Sequence, residues 1–499
     1  MSMDRRGKTR SLCHLLLAVL IGSLFLLPHA VRMETLHTIR DYSPFSARST
    51  SPTTVDETFM YAPEVNYTYR QHRLANDTDA FEHRNEPMPY SVLPTEAEVL
   101  LAKIFGSVAA AQIFCHFLFP AITAWLLMAL FLELDASILL AALLALFTLV
   151  ASFSLRTFEI GTRDFLLHGL HSGFIETLQA SRNPNPNMTF PLFLGALFLQ
   201  AAALRRRSIA YALLAGILGG LLFYSYVFYA IAWAASTALV VLLVLLHNRS
   251  RFKSSLITLL TTAFMAVPFL FWVRAAKKAR GYFYRSNRMG MIHSHLPSTQ
   301  DLKLSAVIGI CMVLLWIGWR YFISANWPAG SEKRQFAGTA AMVFGCATLG
   351  GIVGLNMQVL TGFNVQAVKH FSHMVIQPSF ILLFLTVLLA VTANVRKESS
   401  PLWAGALFIA FFAMCAANQV EAAVNSAPFH RIVPSERTLF NWLNQNTHPG
   451  DVVATTSLEM AMYMPVYSQD CNLMVDGSRT SASDREILDR YLLAEALTG

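Results

Sequence analysis

The chain has 499 residues, 55% of them hydrophobic and 14% charged, with a formal net charge of +8 and a mean hydropathy of +0.46. A soluble domain carries roughly 25% charged residues, so this composition excludes an ordinary cytosolic enzyme and a disordered chain. The apolar residues form many separate long blocks, which also excludes a soluble core on a single anchor.

A helix needs about 20 mostly apolar residues to cross the hydrocarbon core. Such runs predict about eleven spans, at 12–30, 107–132, 136–155, 189–204, 208–223, 225–246, 255–273, 304–324, 337–355, 374–394 and 402–424. The expected fold is therefore an all-α polytopic membrane protein, with a multi-pass domain over 1–424 and a small extracytoplasmic α/β segment over 425–499. The first run is read as a retained span rather than a cleaved signal peptide. The six cysteines are scattered, most of them inside apolar runs, and suggest neither a metal cluster nor a disulfide framework.

Basic residues in short loops set the orientation. Arg5, Arg6, Lys8 and Arg10 precede the first span and place the N-terminus inside. Alternation then puts Arg205–Arg207, Arg249–Lys253, Lys333-Arg334 and Arg396-Lys397 inside as well, leaving the C-terminus outside. The outer face receives 31–106, 156–188, 274–303, 356–373 and 425–499, which include every long polar loop. A cell-membrane protein with its site on the outer face is expected.

The first outer loop holds 11 of the 30 acidic residues. Asp56 and Glu57 open a helix along the membrane surface, where the helix dipole favours an acid. The pair reads either as a solvated helix start or as a general base or metal ligand at the bilayer rim. No cofactor is required by the sequence, and a divalent cation is compatible with the pair. Thr95 and Glu98 read as the capping box of a following helix, which assigns Glu98 to structure.

In the second outer loop His168 and His171 share a spacing that puts them on one helix face, and the Asn183–Pro186 steps predict an extended approach to the next span. The fourth carries Arg274, Lys277, Lys278, Arg280, Arg285, Arg288 and Lys303 around Tyr282, Phe283 and Tyr284. Cations on this side fit an anionic lipid head group, since Arg binds phosphate bidentately; nucleic acid is not expected as a partner there. His293 and His295 lack a third metal ligand. The fifth outer loop, 356–373, concentrates Gln358, Gln366, Lys369, His370 and His373, groups that bind sugar hydroxyls and phosphates. The tail predicts a helix over 435–446, strands at 452–456 and 472–476, and helices over 457–466 and 483–496. Its size suggests a minimal or truncated unit.

Several of these segments together resemble the GT-C superfamily of membrane glycosyltransferases, in particular the protein-mannosyltransferase and aminoarabinose-transferase-like group. The resemblance rests on Asp56-Glu57, the Arg182–Pro191 stretch, Gly219-Gly220 with Tyr224-Ser225-Tyr226, and Gln358, Thr361-Gly362, Gln366 and His370. It implies transfer of a sugar from a polyprenyl-phosphate-linked donor to a hydroxyl of a glycan, lipid or protein acceptor at the outer face. It further implies a catalytic base at Asp56 with Glu57 as partner, Asp41 being a third candidate acid. Arg280, Arg285, Arg288 and His370 would then hold the donor phosphate, and Gln358, Gln366, His168 and His171 the sugar or acceptor. The competing readings are an O-antigen ligase or polymerase, a non-catalytic lipid-glycan transporter or assembly factor, and a structural membrane protein with no site.

Overall fold

The computed structural model describes residues 5–48, 57–72, 77–86, 92–153, 159, 162–163, 167, 179–288, 290–297, 299–326, 331–364, 370–393, 402–475, 477 and 480–498. Asp56, His168, His171 and Gln366 lie outside these residues.

Each predicted apolar run contains a helix: Arg5–Thr35, Val108–Glu133, Ile138–Ala151, Phe190–Arg206, Ile209–Leu221, Val227–His247, Phe252–Ala276, Thr299–Asn326, Glu332–Leu355, Gln377–Val391 and Leu402–Ser426. Eight helical stretches among the described residues are long and apolar enough to cross a membrane, with mean hydropathies of 1.7–2.4. Ile138–Ala151, Phe190–Arg206 and Ile209–Leu221 are shorter. The span expected over 374–394 starts earlier, with a π-helical stretch at His370–Ile376 that runs into Gln377–Val391.

Serine side chains start four of these helices. Ser107, Ser137, Ser208 and Ser331 each accept a backbone N–H from the first turn, a cap worth about 1 kcal/mol. The interior of the bundle is filled by Trp233, Tyr229, Phe131, Phe193, Phe336 and Phe344, all fully buried, with Phe193 stacked on Tyr229 at 4.7 Å. Small residues let the helices close on one another. A Cβ on Gly219 would lie 1.9 Å from the Trp233 indole nitrogen, and one on Gly216 2.5 Å from the Thr261 Cβ. Large apolar side chains such as Phe264, Phe271, Val313 and Trp316 point outward and stay exposed, as a lipid-facing surface requires.

The loops sort onto two ends as alternation demands. At one end Arg205 pairs with Glu133 at 2.9 Å and Lys333 with Asp135 at 2.6 Å. At the other end the five loops expected outside meet one another. Asn183 contacts Glu57 and Glu98, Ile292–His293 pairs antiparallel with Phe363–Asn364, and a Cβ on Gly281 would meet Glu86 and Ser481.

The tail forms helices Pro434–Asn446, Leu458–Tyr467 and Asp484–Thr498 and one parallel pair of short strands, Val452–Val453 beside Cys471–Asn472. The strands are shorter than the sequence suggests because the tail completes its packing on the first outer loop rather than on itself. The Asn66 amide donates to the carbonyls of Pro465 and Ser468. Asp77 accepts from the Thr480 hydroxyl and the Ser481 amide at 2.7 and 2.8 Å. Asp41 binds Arg437, which engages that acid in holding the tail. His83, between Glu86 and Glu486, has its pKa raised: burial works against its charge, and the hydrogen bonds to the two carboxylates outweigh it.

Single cysteines in a cysteine-free background test this sorting. Phe283→Cys and Trp442→Cys are expected to react with an impermeant thiol reagent from one side of sealed vesicles, and Arg206→Cys and Ser250→Cys only from the other. Labelling of Phe283→Cys and Ser250→Cys from the same side would contradict it.

Candidate active site

Glu57 begins a π-helical turn, Glu57–Tyr61, that leads into the helix Ala62–Gln71. Its carboxylate is buried, at 4% exposure, and a buried charge must be hydrogen-bonded to be tolerated. Two donors meet that need. The Asn183 backbone N–H reaches Oε1 at 2.7 Å and the His116 Nε2 reaches the same oxygen at 3.2 Å. Among the described residues no hydrogen bond falls on Oε2.

Glu98 stands beside it. The capping-box reading of Thr95 and Glu98 does not hold, because the helix starts at Val92 and carries both residues inside it, buried. Glu98 faces the site instead. Its Oε2 accepts from the Asn183 side-chain amide at 2.8 Å, and its Oε1 is buried without a partner. Burial, with a smaller contribution from the neighbouring Glu57 charge, pushes the Glu98 pKa up to about 8, although the Asn183 hydrogen bond opposes the rise.

The Asn-Pro segment is a compact turn, not the extended approach expected from its prolines. Both Asn183-Pro184 and Asn185-Pro186 are cis, and the amides of Asn187, Met188 and Phe190 close back onto Arg182, Pro184 and Pro186. Buried asparagines fasten it: Asn183 also donates to Gln112 at 2.5 Å, and Asn187 to the Cys115 carbonyl at 3.2 Å. The turn therefore hands two donors to the carboxylates. Asn66 and Asn187 lie in sequons, yet both are buried with their amides engaged.

Other sequence-selected residues are placed around the same end. His370 bonds the Tyr226 hydroxyl through Nδ1 at 2.5 Å and stacks on Phe228 at 4.4 Å. Ring contacts continue from Tyr226 to Tyr229 and on to Phe190, just after the asparagine turn. Gln358 is buried and accepts from Asn364 at 2.8 Å, which ties the fifth loop together. Arg280–Arg288 form a short helix with Arg280 exposed and Arg285 buried. Arg288 grips the tail, binding Asp484 at 2.6 Å and the carbonyls of Thr480 and Ala482 at 2.8 Å. No hydrogen bond joins Glu57 to these arginines or to His370 among the described residues. There, too, no three His, Cys, Asp or Glu side chains are arranged to hold a metal ion, so no step is assigned to one.

The sequence reading missed Glu98, His116, Gln112 and Asn183. The available signal was polarity inside an apolar run, since His116 and Gln112 sit within a span where an ionisable or amide group marks function by default.

Glu98 holds a proton in the folded state up to about pH 8, against an ordinary value of 4.5. Across that window the folded chain binds more protons than the unfolded one, so its stability falls as pH rises. Glu98→Gln copies the neutral acid and is expected to flatten that decline, read as melting temperature against pH in detergent. An unchanged slope would contradict the assignment.

No known protein family matches the chain, and no curated protein is similar to it in sequence. Solved structures similar in fold to this chain include the following two. One is the oligosaccharyltransferase of Archaeoglobus fulgidus, in a complex with zinc and sulfate, at TM-score 0.46 and 11% identity over 93% of this chain and 62% of that one. The other is ArnT from Cupriavidus metallidurans bound to undecaprenyl phosphate, at TM-score 0.47 and 12% identity over 94% of this chain and 87% of that one. The chain thus spans less than two thirds of the oligosaccharyltransferase.

Proposed function

We propose that this multi-pass membrane protein is a glycosyltransferase that moves a sugar from a polyprenyl-phosphate-linked donor to an acceptor hydroxyl on the outer face of the cell membrane. The observation that carries the reading is the buried Glu57 carboxylate, held through Oε1 by His116 and Asn183, with no hydrogen bond on Oε2 among the described residues. A base positioned this way has one oxygen fixed and one free for a proton.

In the reaction, Glu57 Oε2 takes the proton of the acceptor hydroxyl. The acceptor oxygen bonds to the anomeric carbon, and the bond from that carbon to the donor phosphate breaks with its electron pair leaving on the phosphate. Cations stabilise that developing charge. Arg280, Arg285 and His370 are proposed for the role, whereas Arg288 is proposed to fasten the tail, given its bonds to Asp484, Thr480 and Ala482. Asp56, the other acid of the pair, is retained as a second candidate base. Gln366, His168 and His171 are retained as candidate sugar or acceptor ligands, and Gln358 as the residue that shapes the loop of Gln366.

The test is sugar transfer from a polyprenyl-phosphate-linked donor in reconstituted vesicles. Glu57→Gln is expected to lower the rate by roughly 10²–10⁴-fold, the usual contribution of general acid–base catalysis. Arg280→Ala is expected to raise the donor KM with a smaller effect on kcat. Full transfer by Glu57→Gln together with loss in Asp56→Asn would move the base to Asp56. Lipid translocation without transfer by the wild type would favour the transporter reading and end this one.

A further inference from the structure

Behind Glu57 a line of polar side chains runs into the bundle. His116 Nδ1 lies 2.6 Å from His29 Nε2, and His29 Nδ1 is hydrogen-bonded to the Tyr42 hydroxyl. His29 and His116 are at 2% and 6% exposure, and their rings stack at 4.8 Å. The line joins the outer ends of two spans, Arg5–Thr35 and Val108–Glu133, to the first outer loop.

Donor–acceptor logic fixes its direction. A carboxylate can only accept, so the proton of His116 sits on Nε2 and points at Glu57. Its Nδ1 is then an acceptor and takes the N–H of His29 Nε2. That leaves His29 Nδ1 as an acceptor, and Tyr42 must donate its O–H. The opposite tautomer has a partner as well. Gln112, whose oxygen is taken by Asn183, turns its amide nitrogen toward His116 Nε2 at 3.4 Å. With the proton on Nδ1, His116 would accept from Gln112 and Glu57 would lose a donor. The site therefore holds two networks that differ in the histidine tautomers, and the Tyr42 hydroxyl proton selects between them.

We propose that Tyr42, His29 and His116 form a polarised hydrogen-bond chain that aims a donor at Glu57 Oε1, making His116 a positioning residue for the base. The inference rests on the glycosyl-transfer reading for its catalytic meaning, and on geometry alone for the chain itself. Among the described residues, the other titratable or charged groups facing the chain are Arg32, His430 and Tyr467, beside Tyr42 and His29, and Glu98 and Cys115, beside Glu57.

Solid-state nitrogen NMR of histidine-labelled protein in lipid reads the tautomers directly, with His116→Gln identifying the His116 signals. The wild type is expected to carry His116 as the Nε2–H tautomer, and Tyr42→Phe to convert it to a mixture. A wild-type Nδ1–H tautomer, or a Tyr42→Phe spectrum like the wild type, would overturn the chain whether or not transfer occurs. In the transfer assay, Tyr42→Phe is expected to lower kcat by about 10-fold, roughly the value of one hydrogen bond to a charged group, with donor KM unchanged. His116→Gln keeps an N–H for Glu57 and should retain about 10-fold more activity than His116→Phe, by the same hydrogen-bond value. Equal activity in those two variants, or an effect on KM alone, would reduce His116 to a structural role. A wild type with no transfer would end the functional reading and leave the tautomers to decide the chain.

Discussion

One buried carboxylate gathers the first loop, a span and the second loop at the loop-rich end of this molecule. Glu57 sits where apolar helices end, and a charge there survives only with fixed donors around it. Those donors come from distant parts of the chain. His116 is 59 residues away and Asn183 is 126 residues away, so one acid draws the first loop, a span and the second loop together. The same demand explains the asparagine turn. Its side chains are spent on Glu98, Gln112 and a backbone carbonyl, not on solvent.

The second organising feature is the layer of loops and tail at this end. Asp77, Asn66 and Asp41 are acids and amides of the first loop that serve as anchors for the last part of the chain. Arg288 does the same from the fourth loop. Much of the charge that looks free in the sequence is used to hold these segments in place, and Glu57 and the exposed Arg280 stand apart from that scaffolding.

The helical bundle was legible because its signals are additive: long apolar runs and short basic loops each report a span, and their alternation agrees with the two ends seen in the structure. The tail's helices were legible for the same reason of periodicity. The site was only half legible. Asp56 and Glu57 were singled out from their place in an acid-rich loop, whereas Glu98 was read as a cap because Thr95 and Glu98 fit a local pattern that the helix start at Val92 overrides. His29 and His116 went unweighted because a histidine in an apolar run carries no spacing that names its partner. Their pairing spans 87 residues and exists only once two helices have packed. Arg288 reads as a phosphate ligand in the sequence, and only the fold reveals its bonds to Asp484, Thr480 and Ala482 of the tail.

The measurement that bears most directly on the central claim is where a lipid-linked sugar lodges. A polyprenyl-phosphate sugar carrying a photoreactive group in its head can be crosslinked to the protein in vesicles and mapped by mass spectrometry. The account requires adducts on the peptides around Glu57 and Asn183, lost on competition with the unmodified lipid. Competed adducts confined to the basic loops at the opposite end, around Arg205–Arg207 or Arg249–Lys253, would contradict it.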